Sequence, residues 1–285
     1  MTLPQEVLQF LARTGAASSM QLGRLTALSA SRIHELLGKL ESGGLIAPAG
    51  RVRLSVHGRP QIVWCLTALG ARRGGLYFSP TRGRDGLIKG LLKTQFALTH
   101  REGYYPLFFA DQVTLFEEHG ARWPWPGKEG PLRVGVLMRI ADDTVHLALA
   151  LSNPREIEQL LENAARRFRF AEQPGYRFSV LVTEELADFV EACFNPIQDW
   201  NDPYYHQKKT YREWRACLRG LAPAEQRYRP HIERVLKWIE KDGAQDSAER
   251  YDLVIRAFPA QGFQPEVMKV WMGHLQVAGE ISSDG

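Results

Sequence analysis

Nine polar and charged side chains near the start of the chain have the types and spacing that contact with duplex DNA requires. Arginine, lysine and histidine can hold phosphates, and arginine and serine can also bond base edges in the major groove. We expect Ser31 and Arg32 to face bases, and Lys39 and the basic residues after it to face phosphates. The nine candidates are Ser29, Ser31, Arg32, Glu35, Lys39, Arg51, Arg53, His57 and Arg59.

A helix is predicted to present the first of these candidates. Its apolar residues recur at i, i+3, i+4 and i+7, which buries one face and leaves the polar residues outside. Ser29 is expected to cap this helix. Two shorter helices are predicted before it, one that Pro4 opens and Gly15 ends, and one capped by Ser18 or Ser19. The apolar face consists of Ile33, Leu36, Leu37 and Leu40.

Two short strands are predicted after this helix and would hold the remaining candidates. A turn at Pro48 and Gly50 leads into a strand from Arg51 to Val56, and a second strand pattern begins at Gln61. Three helices followed by such a wing resemble the winged helix-turn-helix of MarR- and PadR-type regulators. The resemblance covers residues 4 to 73, and it implies a third helix in the major groove and a wing on the phosphates. It rests on Leu40, Gly44-Leu45-Ile46 and Leu66-Thr67-x-x-Gly70.

The net charge of +4 is distributed unevenly along the chain. Residues 1 to 89 contain 12 Lys and Arg against 4 Asp and Glu, whereas the rest contains 24 against 28. A basic segment supplies the electrostatic part of DNA affinity, because it releases counterions from the phosphates. The alternative is a winged helix that binds only protein, as such domains do in many assemblies.

The composition, 44% hydrophobic and 24% charged, is that of a globular protein with two or three domains. The chain has no signal-peptide pattern and no apolar stretch of about 18 residues. We therefore expect a cytoplasmic, nucleoid-associated protein without membrane contact. Cys65, Cys193 and Cys217 are widely spaced, so neither a disulfide framework nor a zinc site of the CxxC type is indicated, and no cofactor is expected.

The middle of the chain, residues 91–220, has the pattern of an α/β domain. A basic, glycine-rich linker over residues 74–90 is predicted before it, with a helix from Leu87. Two strands in a hairpin, a helix from Pro154 and a buried strand at Phe178–Val182 follow. This order resembles the restriction-endonuclease-like fold. With the preceding winged helix, it resembles the replication-relaxation family of plasmid and mobile-element proteins.

A working nuclease of that fold would need carboxylates on the hairpin and the next strand, because two-metal phosphodiester cleavage requires them to hold the ions. The corresponding positions hold Pro131-Leu132 and Leu147 to Ala150, while Asp142 and Asp143 fall in the predicted turn. We therefore expect a nuclease-like domain without a metal site or catalytic residue. A nuclease targeted by the winged helix is the alternative. A relaxase is excluded because no histidine cluster accompanies Tyr204-Tyr205.

Residues 221–285 are predicted to be helical and have 8 basic against 10 acidic side chains. Helices are expected from His231, Tyr251 and Pro265, and the end of the last one resembles residues 38 to 46. A second helix-turn-helix and a plain three-helix cap both fit this pattern. Because phosphate repels an acidic surface, a protein partner is favoured over DNA for this segment.

Together these patterns predict an α+β protein with a winged helix-turn-helix in residues 1–73, an inactive nuclease-like α/β domain and a helical end. The function they favour is sequence-specific binding of double-stranded DNA without enzymatic activity. Such a protein would be a transcriptional regulator, or an accessory in plasmid transfer or replication. A homodimer is expected, because one winged helix reads few base pairs and a palindromic site doubles the contact area.

Overall fold

The computed structural model describes residues 2–78, 80–81, 83–100, 136–141, 144–156, 176–187, 190 and 265–278. Within these residues the protein is a mixed α+β structure, as the sequence predicts, with its strands in two sheets. In chain order the elements are α1 (Leu3–Thr14), β1 (Ala17–Ser18), α2 (Ser19–Thr26), α3 (Ala30–Ser42), β2 (Ile46–Val52), β3 (Gln61–Leu66), α4 (Ala68–Gly74), α5 (Gly83–Thr99), β4 (Val136–Ala141), β5 (Thr144–Ala150), β6 (Tyr176–Thr183), β7 (Pro265–Val270) and β8 (Leu275–Val277).

The first sheet has the strand order β1-β3-β2-β8 and is antiparallel throughout. Helices α1, α2 and α3 pack on it through one cluster of buried side chains that includes Leu11, Leu37 and Trp64. The indole N–H of Trp64 donates to the Ser19 hydroxyl at 2.9 Å, which satisfies a buried polar group of each side chain. The three predicted helices are therefore confirmed, and the short strand β1 is an addition to them.

Capping residues mark where these helices begin and end. α1 begins after Thr2 and ends at Gly15, whose φ of +92° suits a residue without a side chain. Ser18, rather than Ser19, caps α2, because its hydroxyl accepts the backbone N–H of Gln21 at 3.2 Å. Ser29 precedes α3 in extended conformation but makes no side-chain capping bond. Its hydroxyl is therefore not committed to the helix end.

The turn of the β2–β3 hairpin lies later than the sequence predicts. Pro48 and Gly50 are not in a turn but inside β2, at a register shift against β3. Such a bulge accommodates a proline in a strand, because one residue there loses its ladder partner. The strand predicted from Arg51 to Val56 is thus wrong beyond Val52, and residues 53–60 form the turn.

The second sheet has the strand order β4-β5-β6-β7. β4 and β5 form the predicted hairpin, and β5, β6 and β7 run parallel to one another. Residues 154–156 are helical after Asn153, in agreement with a helix from Pro154. Asp142, Asp143 and residues 131–132, 200–219 and 221–264, on which several predictions depend, lie outside the described residues.

The helix predicted from Pro265 is wrong, because this segment forms two strands. β7 pairs with β6 in the second sheet, and β8 pairs with β2 in the first. A short apolar run satisfies helix and strand spacing alike, so the distant strands that it pairs with decide its conformation. The described part of the C-terminal segment, residues 265–278, is therefore neither a helix-turn-helix nor a helical cap.

Helix α5 lies between the two sheets and is buried along most of its length. The helix predicted from Leu87 begins earlier, at Gly83 in the predicted linker, and Leu87, Ile88 and Gly90 are buried. One continuous core joins α5 to both sheets, with Val63 of β3 and Leu181 of β6 in the same cluster. None of the helices in the described parts of the chain is long and apolar enough to cross a membrane.

Cys65 of β3 is a free thiol in this core. Burial raises the pKa of Cys65 to about 12, against a smaller opposite effect of its hydrogen bond with Thr81. The thiol is therefore protonated at neutral pH and unsuited to nucleophilic chemistry.

Candidate nucleic-acid interface

Helix α3 presents four of the predicted contact residues on its open face. Its other face packs Ile33, Leu37 and Leu40 into the core, and each of these is less than 5% exposed. The spacing of these apolar residues therefore determines which face of α3 packs into the core. Ser31, Arg32, Glu35 and Lys39 are exposed, and so is Ser29 just before the helix.

Two of these residues form an ion pair on the helix surface. The ammonium of Lys39 lies 2.6 Å from a carboxylate oxygen of Glu35, and the two side chains are 72% and 65% exposed. This bond holds the pKa of Glu35 below its ordinary value, helped by the positive charges of Lys39 and Arg32. Because both partners are in water, the pair is weak and either member can exchange it for another partner.

The β2–β3 hairpin presents three further candidates. Arg51 is exposed on β2, and His57 and Arg59 are exposed in the turn of residues 53–60. This turn is closed by a hydrogen bond from the Gly58 amide to the Ser55 carbonyl at 3.0 Å. The hairpin therefore projects two arginines and a histidine into solvent.

Arg53 differs from the other candidates, because the C-terminal segment covers it. It is half-buried, and its carbonyl accepts the Gly273 amide at 2.8 Å. Its Nε is buried without a hydrogen-bond partner in the described part of the protein. Eight of the nine candidates are therefore exposed, and Arg53 is half-buried.

Charge is not concentrated on α3 itself. The helix contains two basic and two acidic residues, so its formal charge is zero. The positive charge of this region lies on its borders, on the hairpin and at the end of α4, where Arg72 and Arg73 are exposed. The exposed face of α3 is therefore formally neutral, whereas the hairpin and the end of α4 are basic.

Comparison with known proteins found no matching family model, no matching curated protein and no matching solved structure. The residues of the site themselves must therefore support any function that is proposed for it.

A second polar cluster lies where strands β5 and β6 end, and sequence reasoning missed it. Lys89 of α5 forms an ion pair with Glu156. The second carboxylate oxygen of Glu156 accepts the amide of Ser152 at 2.9 Å and its hydroxyl at 3.2 Å. The amide side chain of Asn153 donates to Asp85 at 2.9 Å. The carboxylates of Glu156 and Asp85 are thus bonded by groups of the protein.

A crevice of about 210 Å³ opens beside this cluster, lined by Arg84 and Asp85 of α5, Ser152, Thr183 and Glu185. The acidic residues here occupy first turns of helices, where carboxylates interact favourably with free backbone N–H groups. Among the described residues there is no group of three side chains that could hold a metal ion. A signal for the cluster exists in the sequence: Asn153 and Glu156 have the spacing of a helix cap, and Lys89 interrupts an apolar helix.

Proposed function

We propose that this protein binds double-stranded DNA in a sequence-specific manner, and that residues 1–73 are a winged helix-turn-helix. The order α1-β1-α2-α3-β2-β3, with an antiparallel sheet behind the helices, supports this assignment. In such a domain α3 enters the major groove and the hairpin follows the flanking backbone. The biological role that suits it is transcriptional regulation, or an accessory role in the transfer or replication of a mobile element.

The observation that carries the proposal is that exposed residues suited to bases lie on α3 and exposed residues suited to phosphates lie on the hairpin. Ser31 and Arg32 lie in the first turn of α3, where side chains reach base edges. Arg51 and Arg59 lie on the hairpin, where they would meet phosphates. Specific recognition needs both kinds of contact, and the exposed residues of α3 and of the hairpin are of the types that make them.

The ion pair of Glu35 and Lys39 adds a selective element to this surface. A carboxylate in the major groove accepts a hydrogen bond from the amino group of cytosine but repels phosphate. When Lys39 turns to a phosphate, Glu35 is released toward the bases. The pair thus allows α3 to remain neutral in the free protein and still provide one contact of each kind on DNA.

The central α/β region serves in this proposal as a scaffold of nuclease-like fold rather than as an enzyme. Each oxygen of its Glu156 carboxylate already bonds to a group of the protein, one to Lys89 and the other to Ser152. Two copies of the chain would bind a palindromic site, since one module of this size covers few base pairs.

Selection of bound sequences from a random duplex pool, followed by fluorescence anisotropy on the selected site, tests the proposal. We expect one enriched motif, and a logarithm of the association constant that falls linearly with the logarithm of salt concentration. The reference is a scrambled duplex of the same length and composition. Equal affinity for both duplexes would contradict specific recognition.

A protein-binding adaptor is the second candidate, and the zero formal charge of α3 favours it. A neutral helix face beside a hairpin suits a protein groove as well as a DNA groove. The same anisotropy series distinguishes the two functions. An adaptor would show no duplex affinity even at low salt, where phosphate contacts are strongest.

A further inference from the structure

We propose that residues 273–278, which include strand β8, cover a further nucleic-acid contact, Arg53 with the adjoining edge of β2, and that DNA affinity rises when this segment leaves the edge. The inference rests on the proposed DNA binding, and it concerns a surface that is closed in the described state. Its basis is the way in which residues 271–278 lie against the basic hairpin.

β8 is a short edge strand of the first sheet, and it pairs with the side of β2 opposite β3. Its pairing with β2 spans three residue pairs, Gly50 with Val277, Arg51 with Gln276 and Val52 with Leu275. Backbone bonds continue the contact at both ends, from the Gly273 amide to the Arg53 carbonyl and from the Ala278 amide to the Ala49 carbonyl at 2.9 Å. Without β8, this edge of the hairpin would expose free N–H and C=O groups.

Arg53 lies directly beneath this segment. A methyl group on Gly273 would stand only 3.2 Å from the Arg53 Cβ, so the chain passes closely over the side chain. The buried Nε of Arg53 finds no acceptor among the described residues. A guanidinium nitrogen removed from water without an acceptor is unfavourable, and a phosphate oxygen would provide the missing partner.

The attachment of β8 also depends on the crevice beside α5. The guanidinium of Arg84 donates to the Leu275 carbonyl at 2.9 Å, and Met272, Gly273 and Leu275 line the crevice wall. The segment of residues 273–278 is therefore held from two sides, by β2 and by the first turn of α5. Loss of the contacts with β2 or with Arg84 should therefore loosen the attachment of this segment.

Gly50 provides a substitution that removes β8 selectively. A Cβ at this position would lie 2.3 Å from the Gln276 carbonyl oxygen, and the three nearest atoms to it all belong to β8. The φ of Gly50 is not positive, so alanine is compatible with the backbone of β2 itself. Gly50→Ala should therefore displace β8 and leave the β2–β3 pairing in place.

The test compares the full-length wild type with Gly50→Ala, Arg53→Ala and the double variant on a random-sequence duplex. We expect Gly50→Ala to bind several-fold more tightly, with a salt dependence steeper by about one phosphate contact. The gain should vanish in the double variant, because Arg53 is its source. Gln276→Ala is the matched control, since it shortens an exposed side chain of β8 and keeps the backbone pairing.

Amide hydrogen exchange at Gly273 and Ala278 reports the release of β8 without any DNA. Arg84→Gln is the second route to release if Gly50→Ala does not fold. Faster exchange with unchanged or weaker DNA binding would overturn the proposal, and so would a gain that persists without Arg53. Absence of duplex binding by the wild type and every variant would instead refute the DNA-binding function on which the proposal rests.

Discussion

The open face of α3 and the polar cluster at the ends of β5 and β6 contain the same kinds of residue in opposite settings. On α3, Lys39 and Glu35 form a pair with both side chains more than half exposed. At the strand ends, Lys89 and Glu156 form a pair whose side chains are 8% and 22% exposed. The first pair can exchange partners with a ligand, whereas the second is part of the interior.

This difference in exposure supports placing the proposed DNA contact on α3 rather than at the cluster beside α5. A basic side chain in water can exchange its carboxylate partner for a phosphate at little energetic loss. Charges that have left water must keep their partners, because an unpaired buried charge is strongly unfavourable. The N-terminal surface is therefore suited to recognition, and the cluster beside α5 is suited to holding two sheets and a helix together.

Breaking each pair in turn should give the largest contrast. Glu156→Ala leaves Lys89 buried without its carboxylate, and we expect it to lower the free energy of unfolding by about 3 kcal/mol. Glu35→Ala should leave that free energy nearly unchanged, because its side chain lies in solvent. Urea denaturation followed by circular dichroism measures both. Similar losses for the two variants would abolish the distinction.

The next effect concerns α5, the helix that packs against both sheets. The Cα of Gly90 on α5 lies so close to the residue before β1 that a Cβ would lie 2.6 Å from the Ala16 nitrogen. We expect Gly90→Ala to destabilise the protein by about 1–3 kcal/mol through overpacking. Hydrogen exchange should increase in both sheets, at Val63 as well as at Leu181, because one core joins them.

Gly38→Ala is the control for that change, since it is also a helical glycine. A Cβ at Gly38 has no atom within 4 Å, so alanine there only favours the helix. A gain of about 0.5–1 kcal/mol is expected. If alanine were tolerated equally at both positions, the close contact of α5 with the first sheet would not exist in solution.

Within the recognition surface, α3 and the hairpin should respond differently to loss of an arginine. Arg32→Ala should weaken binding to the selected duplex by about 1–3 kcal/mol and have little effect on a scrambled one. Arg59→Ala should weaken both alike and reduce the salt slope by about 1. Anisotropy titrations of both variants on both duplexes give these values. Equal loss of both variants on both duplexes would contradict the assigned roles.

The sequence predicts one of the compared regions far better than the other. The face of α3 follows from the spacing of Ile33, Leu37 and Leu40, which is local information. The contacts of Lys89 with Glu156 and of Arg53 with Gly273 join residues far apart in sequence, so no periodicity indicates them. The strand β7 shows the same limit, because its conformation depends on pairing with β6 and its residues alone also suit a helix.

The smallest effect is the titration of Glu35. Its folded-state pKa is lowered, first by the hydrogen bond from Lys39 and then by the charge of Lys39. A lowered pKa means that the pair stabilises the protein above the ordinary value of 4.5, and that this stabilisation is lost as pH falls through the lowered value.

Carbon-detected NMR of the Glu35 carboxyl between pH 2 and 7 measures this shift, and Lys39→Gln should raise the pKa back toward 4.5. Added salt should act in the same direction, since both side chains are exposed to counterions. A wild-type Glu35 that titrates at its ordinary value would mean that the pair does not persist in water. Lys39 would then be available to phosphate without first leaving Glu35. The comparison would become one between an unpaired lysine on α3 and the buried pair of Lys89 with Glu156.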